Sequence, residues 1–233
     1  MALVKAKVSI EGVQPLLWHH FGPDAIPLGA KEKSGKAGND PDEWRKTVLA
    51  TESGQLYLRR EYVFGCLRAA AKFTTRKRGT LQPYVAATLQ VLQDTVLIDR
   101  WMPKGGPAIG AETEAVYLDR RAVVNPGTKR RNVRYRVAVS PGWKAEFLMT
   151  WDNTVVGREE MEAVAHDGGK LVGLGSGRDI GFGRFVVKSF EVDHAQEPAT
   201  ARDLGKNTTK RVAKGSKKVR TLPPAGRAQR VSR

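Results

Sequence analysis

The sequence predicts an α+β protein, with an antiparallel β-sheet backed by two helices. Three observations carry this reading: strand-like alternation near both ends, two stretches of helical spacing between, and turn signals that separate the strands. In residues 3–13, Val4, Ala6, Val8 and Ile10 fall on one face and Lys5, Lys7, Ser9 and Glu11 on the other, the pattern of a half-buried strand. From Phe21 to Asp42 the chain is rich in Gly, Pro, Lys and Asp. It reads as a long inserted loop, a length that in a compact domain accompanies function or disorder. Gln55–Leu58 is a short strand. After it, Tyr62, Val63, Cys66, Leu67, Ala70 and Phe73 recur at helical spacing, and Ala69-Ala70-Ala71 favours a helix. Arg76-Lys77-Arg78-Gly79 would give that helix a basic last turn and a glycine stop. Thr95–Trp101 is expected to be a strand. Ala115–Val124 and Val133–Val139 read as a strand pair joined across Asn125-Pro-Gly-Thr128 and the cluster Lys129-Arg130-Arg131. Pro141-Gly142 then turns the chain into a strand over Lys144–Trp151. A second helix spans Gly157–Val172, with Met161, Val164, Ala165 and Leu171 roughly on one face, and Phe182–Val192 closes the domain as a strand. The order β-α-β, hairpin, β-α-β is the split βαβ, ferredoxin-like plan.

The chain has 233 residues, enough to bury a full core, and a formal net charge of +16. With a pI of about 10.2, it is built to meet a polyanion. From Ala201 to Arg233 there are eleven Lys/Arg against one acid, Asp203. That segment has too little apolar content to pack and is expected to be a disordered basic tail. The rest of the chain still carries a net charge of +6. The single cysteine, Cys66, excludes an intrachain disulfide or a multi-cysteine zinc site. No apolar run approaches the roughly 20 residues that span a bilayer. The N-terminus alternates like a strand and lacks the apolar stretch of a signal peptide. A cytoplasmic protein without membrane partner, metal or cofactor is the expectation.

The most informative stretch is Gly173-Leu-Gly-Ser-Gly-Arg-Asp-Ile-Gly-Phe-Gly-Arg184, with five glycines in eleven residues framed by Arg178 and Arg184. Bare backbone beside guanidinium groups suits phosphate. It is not a dinucleotide fingerprint, which runs strand, glycine turn, helix; here the order is helix, loop, strand. Nor is there a Walker loop: Gly29 to Gly35-Lys36-Ala37 has one residue too many and no Ser/Thr after the lysine. Nucleotide hydrolysis is not expected.

Gly173, Gly175, Gly181, Phe182 and Gly183 instead resemble the glycine-rich signature of the CRISPR-associated RAMP superfamily, in which a helix enters such a loop before the final strand of an RRM-like fold. Leu56–Ala71 is similar to the strand-turn-helix of that family, with Gly65–Arg68 as its Gly-x-Leu-Arg-like piece; Arg59-Arg60-Glu61 stand where the family has Pro-Gly-Ser. The resemblance implies an RNA-binding domain over residues 1–195, followed by the tail at 196–233. It implies a subunit that coats guide RNA through phosphate contacts. Its partners would be guide RNA, target nucleic acid, copies of itself in a helical filament and other CRISPR effector subunits.

The candidate RNA-contacting residues are Arg59, Arg60, Arg68, Lys129, Arg130, Arg131, Arg134, Arg136, Gly173, Gly175, Gly177, Arg178, Gly181, Gly183 and Arg184. Arg134 and Arg136 share a strand face with Tyr135 opposite, so two guanidiniums project together. Trp18, Trp44 and Trp143 sit at loop edges, positions from which an indole can stack on a base. A second branch of the superfamily cuts precursor guide RNA with a histidine as acid or base, and His19 or His20 would serve. Tandem histidines at a strand end point to opposite faces, so at most one enters a shared site. Asp24, with Asp40 and Asp42, lies in the long loop as a candidate for metal-assisted cleavage. A third reading is a phage or plasmid DNA-binding protein that draws its affinity from the tail.

Overall fold

The structure, a computed structural model, describes residues 2–22, 40–76, 79–124, 127, 129 and 131–193. Most of the 21–42 loop, Asp24 included, Arg130 and the whole of 196–233 lie outside the described residues. The chain forms β1 (Leu3–Gly12), β2 (Leu16–Leu17), α1 (Glu43–Thr47), β3 (Gln55–Arg59) and α2 (Arg60–Ala70). It continues through α3 (Gln82–Thr88), β4 (Gln90–Val91), β5 (Thr95–Trp101), β6 (Val116–Val124), β7 (Arg131–Val139), β8 (Lys144–Asp152), α4 (Arg158–Asp167) and β9 (Phe185–Asp193).

The main sheet runs β3-β5-β8-β1-β9, with β4 also on β8, and every pairing is antiparallel. β9, β1, β8 and β5 reproduce the split βαβ order, and β3 adds an edge strand. β1 lies inside the sheet, between β8 and β9, and its buried Ala6, Val8 and Ile10 supply part of the face on which the helices pack. Val8 stands opposite Phe147 on one side and Phe190 on the other. On the opposite face the alternation delivers charge, and Lys7 pairs with Glu146 at 3.0 Å and Lys188 with Glu11 at 3.2 Å.

The β6–β7 hairpin leaves this sheet and joins β2 in a second one of order β2-β7-β6. Its inner half, Val116–Asp119 against Arg136–Val139, is buried. Its outer half, from Arg120 to Tyr135, is exposed or half-exposed wherever described, with Arg134 turned toward α1 and Arg121 lying over Phe182.

Helix α2 stops at Ala70 instead of running to Arg76. Phe73 is 56% exposed, so the apolar spacing outlives the helix. The chain reverses there to lay α3 against α2, with Leu81 and Val85 buried. Periodicity did not reveal α3, although Pro83 in its first turn is a helix-start signal. Arg76, expected in a last turn, donates to the Val155 carbonyl at 2.8 Å and lies over the Tyr84 ring.

Helix α4 ends at Asp167 and widens into a π turn over Gly168–Val172. A Cβ on Gly169 would sit 2.1 Å from the Phe185 carbonyl oxygen, and one on Gly168 would sit 3.3 Å from Cys66 Sγ. Bare backbone lets this turn lie against both β9 and α2. Leu171, expected on the core face, is swung outward to 38% exposure. The last strand begins at Phe185, because Phe182-Gly183-Arg184 belong to the glycine loop.

The tryptophans are core residues. Trp18 and Trp143 are buried and Trp44 nearly so. Trp18 Nε1 donates to the Tyr57 carbonyl at 2.7 Å and Trp143 Nε1 to that of Gln14 at 2.9 Å, the satisfied polar edge that a buried indole requires. Gly12 makes room for Trp143: a Cβ there would fall 2.0 Å from the ring. None of the three is free to stack on a base.

Candidate nucleic-acid interface

The glycine loop is first a piece of architecture. All five glycines have positive φ, from 69° at Gly183 to 95° at Gly181. Cβ atoms on Gly173, Gly175, Gly177 and Gly183 would each come within 3.0 Å of protein atoms, chiefly the backbone of Phe182, Leu17 and Leu174. Only at Gly181 does the space stand open. Ser176 N–H donates to the Leu17 carbonyl at 2.8 Å and Gly183 N–H to that of Pro15 at 2.7 Å, stitching the loop to the β1–β2 connection. Phe182 is held under the guanidinium of Arg121, 4.3 Å away, and Arg121 is itself anchored on the buried Asp119. The glycines thus serve close contact within the protein, and what the loop offers outward is the turn Arg178–Ile180 and the open face of Gly181.

That turn faces the start of α2. Arg59 ends β3 as the residue before the helix, and its side chain shares a cleft with Glu61, Tyr62 and the bare backbone of Gly65. With Arg178 from the glycine loop and His20 from the end of β2, these residues line a cleft of about 370 Å³. Neither Arg59 nor Arg178 has a carboxylate within ion-pairing distance among the described residues. His20 Nδ1 shares a hydrogen bond with the Tyr62 hydroxyl at 3.1 Å. Burial, reinforced by the charge of Arg59, pushes the His20 pKa below its ordinary value, so the imidazole is neutral at neutral pH. Burial raises the Tyr62 phenol, against the pull of Arg178 and Arg59, and keeps it protonated. The cleft therefore combines two unpaired guanidiniums, a neutral imidazole and a phenolic hydroxyl, with Glu61 as its one acid.

The two histidines part company. His19 Nε2 donates to Glu43 Oε1 at 3.3 Å, on the side away from Tyr62. The same Glu43 oxygen accepts from Arg134 Nη1. Burial would raise the Glu43 carboxyl, but the hydrogen bonds and charges of His19 and Arg134 outweigh it and hold the pKa below the usual carboxylate range. Two residues along β7, Arg136 is buried and donates to Ser176 Oγ at 3.1 Å, carrying the second sheet onto the glycine loop. Arg134 and Arg136 do share a face, and it is turned inward toward α1 and the loop.

The remaining candidates disperse. Arg60 pairs with Asp94 at 2.9 Å and with Glu61 at 3.8 Å, beside a groove formed with Phe64, Gln90, Val91 and Leu92. Arg68 is exposed on α2, one turn beyond Gly65 and outside the residues that line the cleft. Lys129, with φ of 57°, and Arg131 are exposed at the described end of the hairpin. Arg184 lies at the exit of the glycine loop and lines a separate cavity. Sequence reasoning passed over Tyr62, which helical spacing assigned to the core, and Glu43, the acid at the end of the long loop. Nothing local marks either one, because each acquires its role from a histidine that reaches it only in space. Among the described residues no group of three or more His, Cys, Asp or Glu could hold a metal ion, and no helix is long and apolar enough to cross a membrane.

No protein-family profile matches the chain, and no curated protein matches it in sequence. Among solved structures it is similar to a chain in the cryo-EM structure of the Type III-B Cmr-beta bound to cognate target RNA. The TM-score is 0.45 and the identity 12%, over 82% of this chain and 61% of that one. The chain thus spans less than two thirds of the length of that neighbour.

Proposed function

We propose that the chain is a single-stranded RNA-binding backbone subunit of a CRISPR-type ribonucleoprotein, coating guide RNA through phosphate contacts. The observation that carries this reading is the cleft in which Arg59 and Arg178, from elements far apart in sequence, meet without a carboxylate partner among the described residues. Two guanidiniums lining one cleft, with no carboxylate in ion-pairing range among the described residues, suit a phosphodiester. The outer end of the hairpin, with Lys129 and Arg131 exposed, adds a second cationic surface for the same strand. Domain 1–195 would grip the RNA and the 196–233 tail would add charge. Copies of the chain, other effector subunits and target nucleic acid would then assemble on the coated guide.

The deciding experiment is a titration of the full chain with single-stranded RNA, single-stranded DNA and duplex DNA, with the stoichiometry read by mass photometry. Binding that prefers RNA, grows in steps with strand length, and weakens in Arg59→Ala and Arg178→Ala at unchanged melting temperature is the expected result. Equal affinity for duplex DNA, or unchanged affinity in both variants, would overturn it.

The pairing of His20 with Tyr62 favours a second reading, a guide-RNA-processing endoribonuclease working in the same cleft. A neutral His20 can take the proton from a 2′-hydroxyl while Arg59 and Arg178 offset the charge gathering on the phosphate. The 2′-oxygen would attack the phosphorus and expel the 5′-oxygen, leaving a 2′,3′-cyclic phosphate and a 5′-hydroxyl. Discrete cut products, lost in His20→Ala and kept in His19→Ala, would establish this reading in place of the first. Uncut RNA would remove it.

A further inference from the structure

We infer a second phosphate-binding site at the exit of the glycine loop, in the cavity lined by His166, Lys170 and Arg184. The cavity, about 550 Å³, lies between the last turn of α4, the π turn, the start of β9 and the Val13-Gln14 turn. Gly169 permits it: with no Cβ to strike the Phe185 carbonyl, the π turn lies directly on β9, and Lys170 and Arg184 line the same cavity. Three elements thereby contribute one basic side chain each, against a single lining acid, Asp167. Neither Lys170 nor Arg184 lies within ion-pairing distance of a carboxylate among the described residues.

Arg184 is anchored through its backbone. Its carbonyl accepts from Val13 N–H at 2.8 Å and Gln14 N–H at 3.2 Å. Its Nη1 is buried and has no hydrogen-bond acceptor among the described residues. A planar guanidinium and a flexible ammonium lining one cavity are a pairing that suits phosphate. The other walls are apolar: Val13 and Val186 are 46% and 43% exposed, and Phe185 closes the back. Cations on one side and aliphatic surface on the other fit one nucleotide unit, with its phosphate on Lys170 and Arg184 and its sugar or base on the valines. The phosphate belongs either to a strand that also fills the Arg59–Arg178 cleft, in which case the inference rests on the RNA-binding reading, or to a free mononucleotide.

The test uses the full chain and its Lys170→Glu and Arg184→Gln variants, with a short and a long labelled oligouridylate read by anisotropy and AMP read by calorimetry. Lys170 is exposed, so its variant should fold, and a thermal melt on each protein checks this. If the site takes the strand, both variants lose affinity for the long oligonucleotide by on the order of tenfold. Their log–log salt slope falls by about 0.7 for each phosphate no longer bound, while the short oligonucleotide binds as before. If it takes a free nucleotide, AMP binding disappears in Lys170→Glu and neither oligonucleotide is affected. AMP binding that vanishes in this way, in a protein that binds no strand, would preserve the site and sink the RNA-binding reading instead. Unchanged affinity for the long strand and for AMP in both variants would overturn the inference.

Discussion

Gly183 and Leu174 pack backbone to backbone across the neck of the glycine loop. A Cβ on Gly183 would lie 1.9 Å from the Leu174 carbonyl oxygen, and the Leu174 amide donates to the Gly183 carbonyl at 2.9 Å. Gly181, two residues earlier, has positive φ as well but nothing within reach of a Cβ. The loop thus separates two demands that glycine meets: room for a neighbouring backbone, and freedom to adopt a left-handed turn.

This separation predicts unequal costs. Gly181→Ala carries the conformational strain alone, about 1 kcal/mol. Gly183→Ala adds a collision with main chain that cannot move aside, and should cost at least about 3 kcal/mol. Urea denaturation of the two variants measures the difference directly, and equal losses would mean that the neck of the loop yields.

Glu43 should make stability depend on pH. Its pKa is lowered in the folded chain, so between the lowered and ordinary values the unfolded chain binds more protons. The stability it contributes is complete above the ordinary glutamate pKa and is lost as pH falls through the folded value. Glu43→Gln should therefore cost about 1.5–3 kcal/mol at neutral pH, with the gap to the wild type closing in acid. Denaturation midpoints collected down the pH scale would reveal it. A gap that persists undiminished in acid would assign the role of Glu43 to packing instead of charge.

Cys66 should be inert while the chain is folded. It is fully buried between α2 and the π turn, where it donates to the Gly168 carbonyl at 3.4 Å, and burial pushes its thiol up to about 12. At mildly alkaline pH a thiol reagent should modify it only as fast as the chain opens. Adding denaturant should release one equivalent promptly. Rapid labelling of the native chain would mean that the packing of α2 on the π turn opens far more readily than its burial implies.

Deleting residues 201–233 removes a net charge of +10. The prediction is a flatter salt dependence of RNA binding, with the log–log slope reduced by about 0.7 for each phosphate the tail no longer neutralises. The melting temperature of the remainder should be unchanged. A collapse of that temperature on truncation would move the expected domain boundary at residue 195.

The strands were legible because their signal is local. β1 shows its buried face as Ala6, Val8 and Ile10, β5 falls where Thr95–Trp101 alternates, and the split βαβ order follows from the sequence of elements. Helix ends were less legible. Phe73 continues the apolar spacing of α2 after the helix has stopped, since the end is set by the docking of α3. Likewise Leu171 continues that of α4 into the π turn, where Gly168 and Gly169 yield to neighbours from other elements.

From its sequence alone the chain is a basic α+β protein with a glycine loop before its last strand, since charge, alternation and spacing are written in consecutive residues. Tertiary structure decided which of these groups are free. Arg134 is committed to Glu43, 91 residues away, and His20 to Tyr62, 42 residues away. Arg178, across the cleft from Arg59, has no carboxylate within ion-pairing distance among the described residues. Whether a cation is neutralised or left for a ligand depends on partners within a few ångströms, and groups so distant along the chain come together only when it folds.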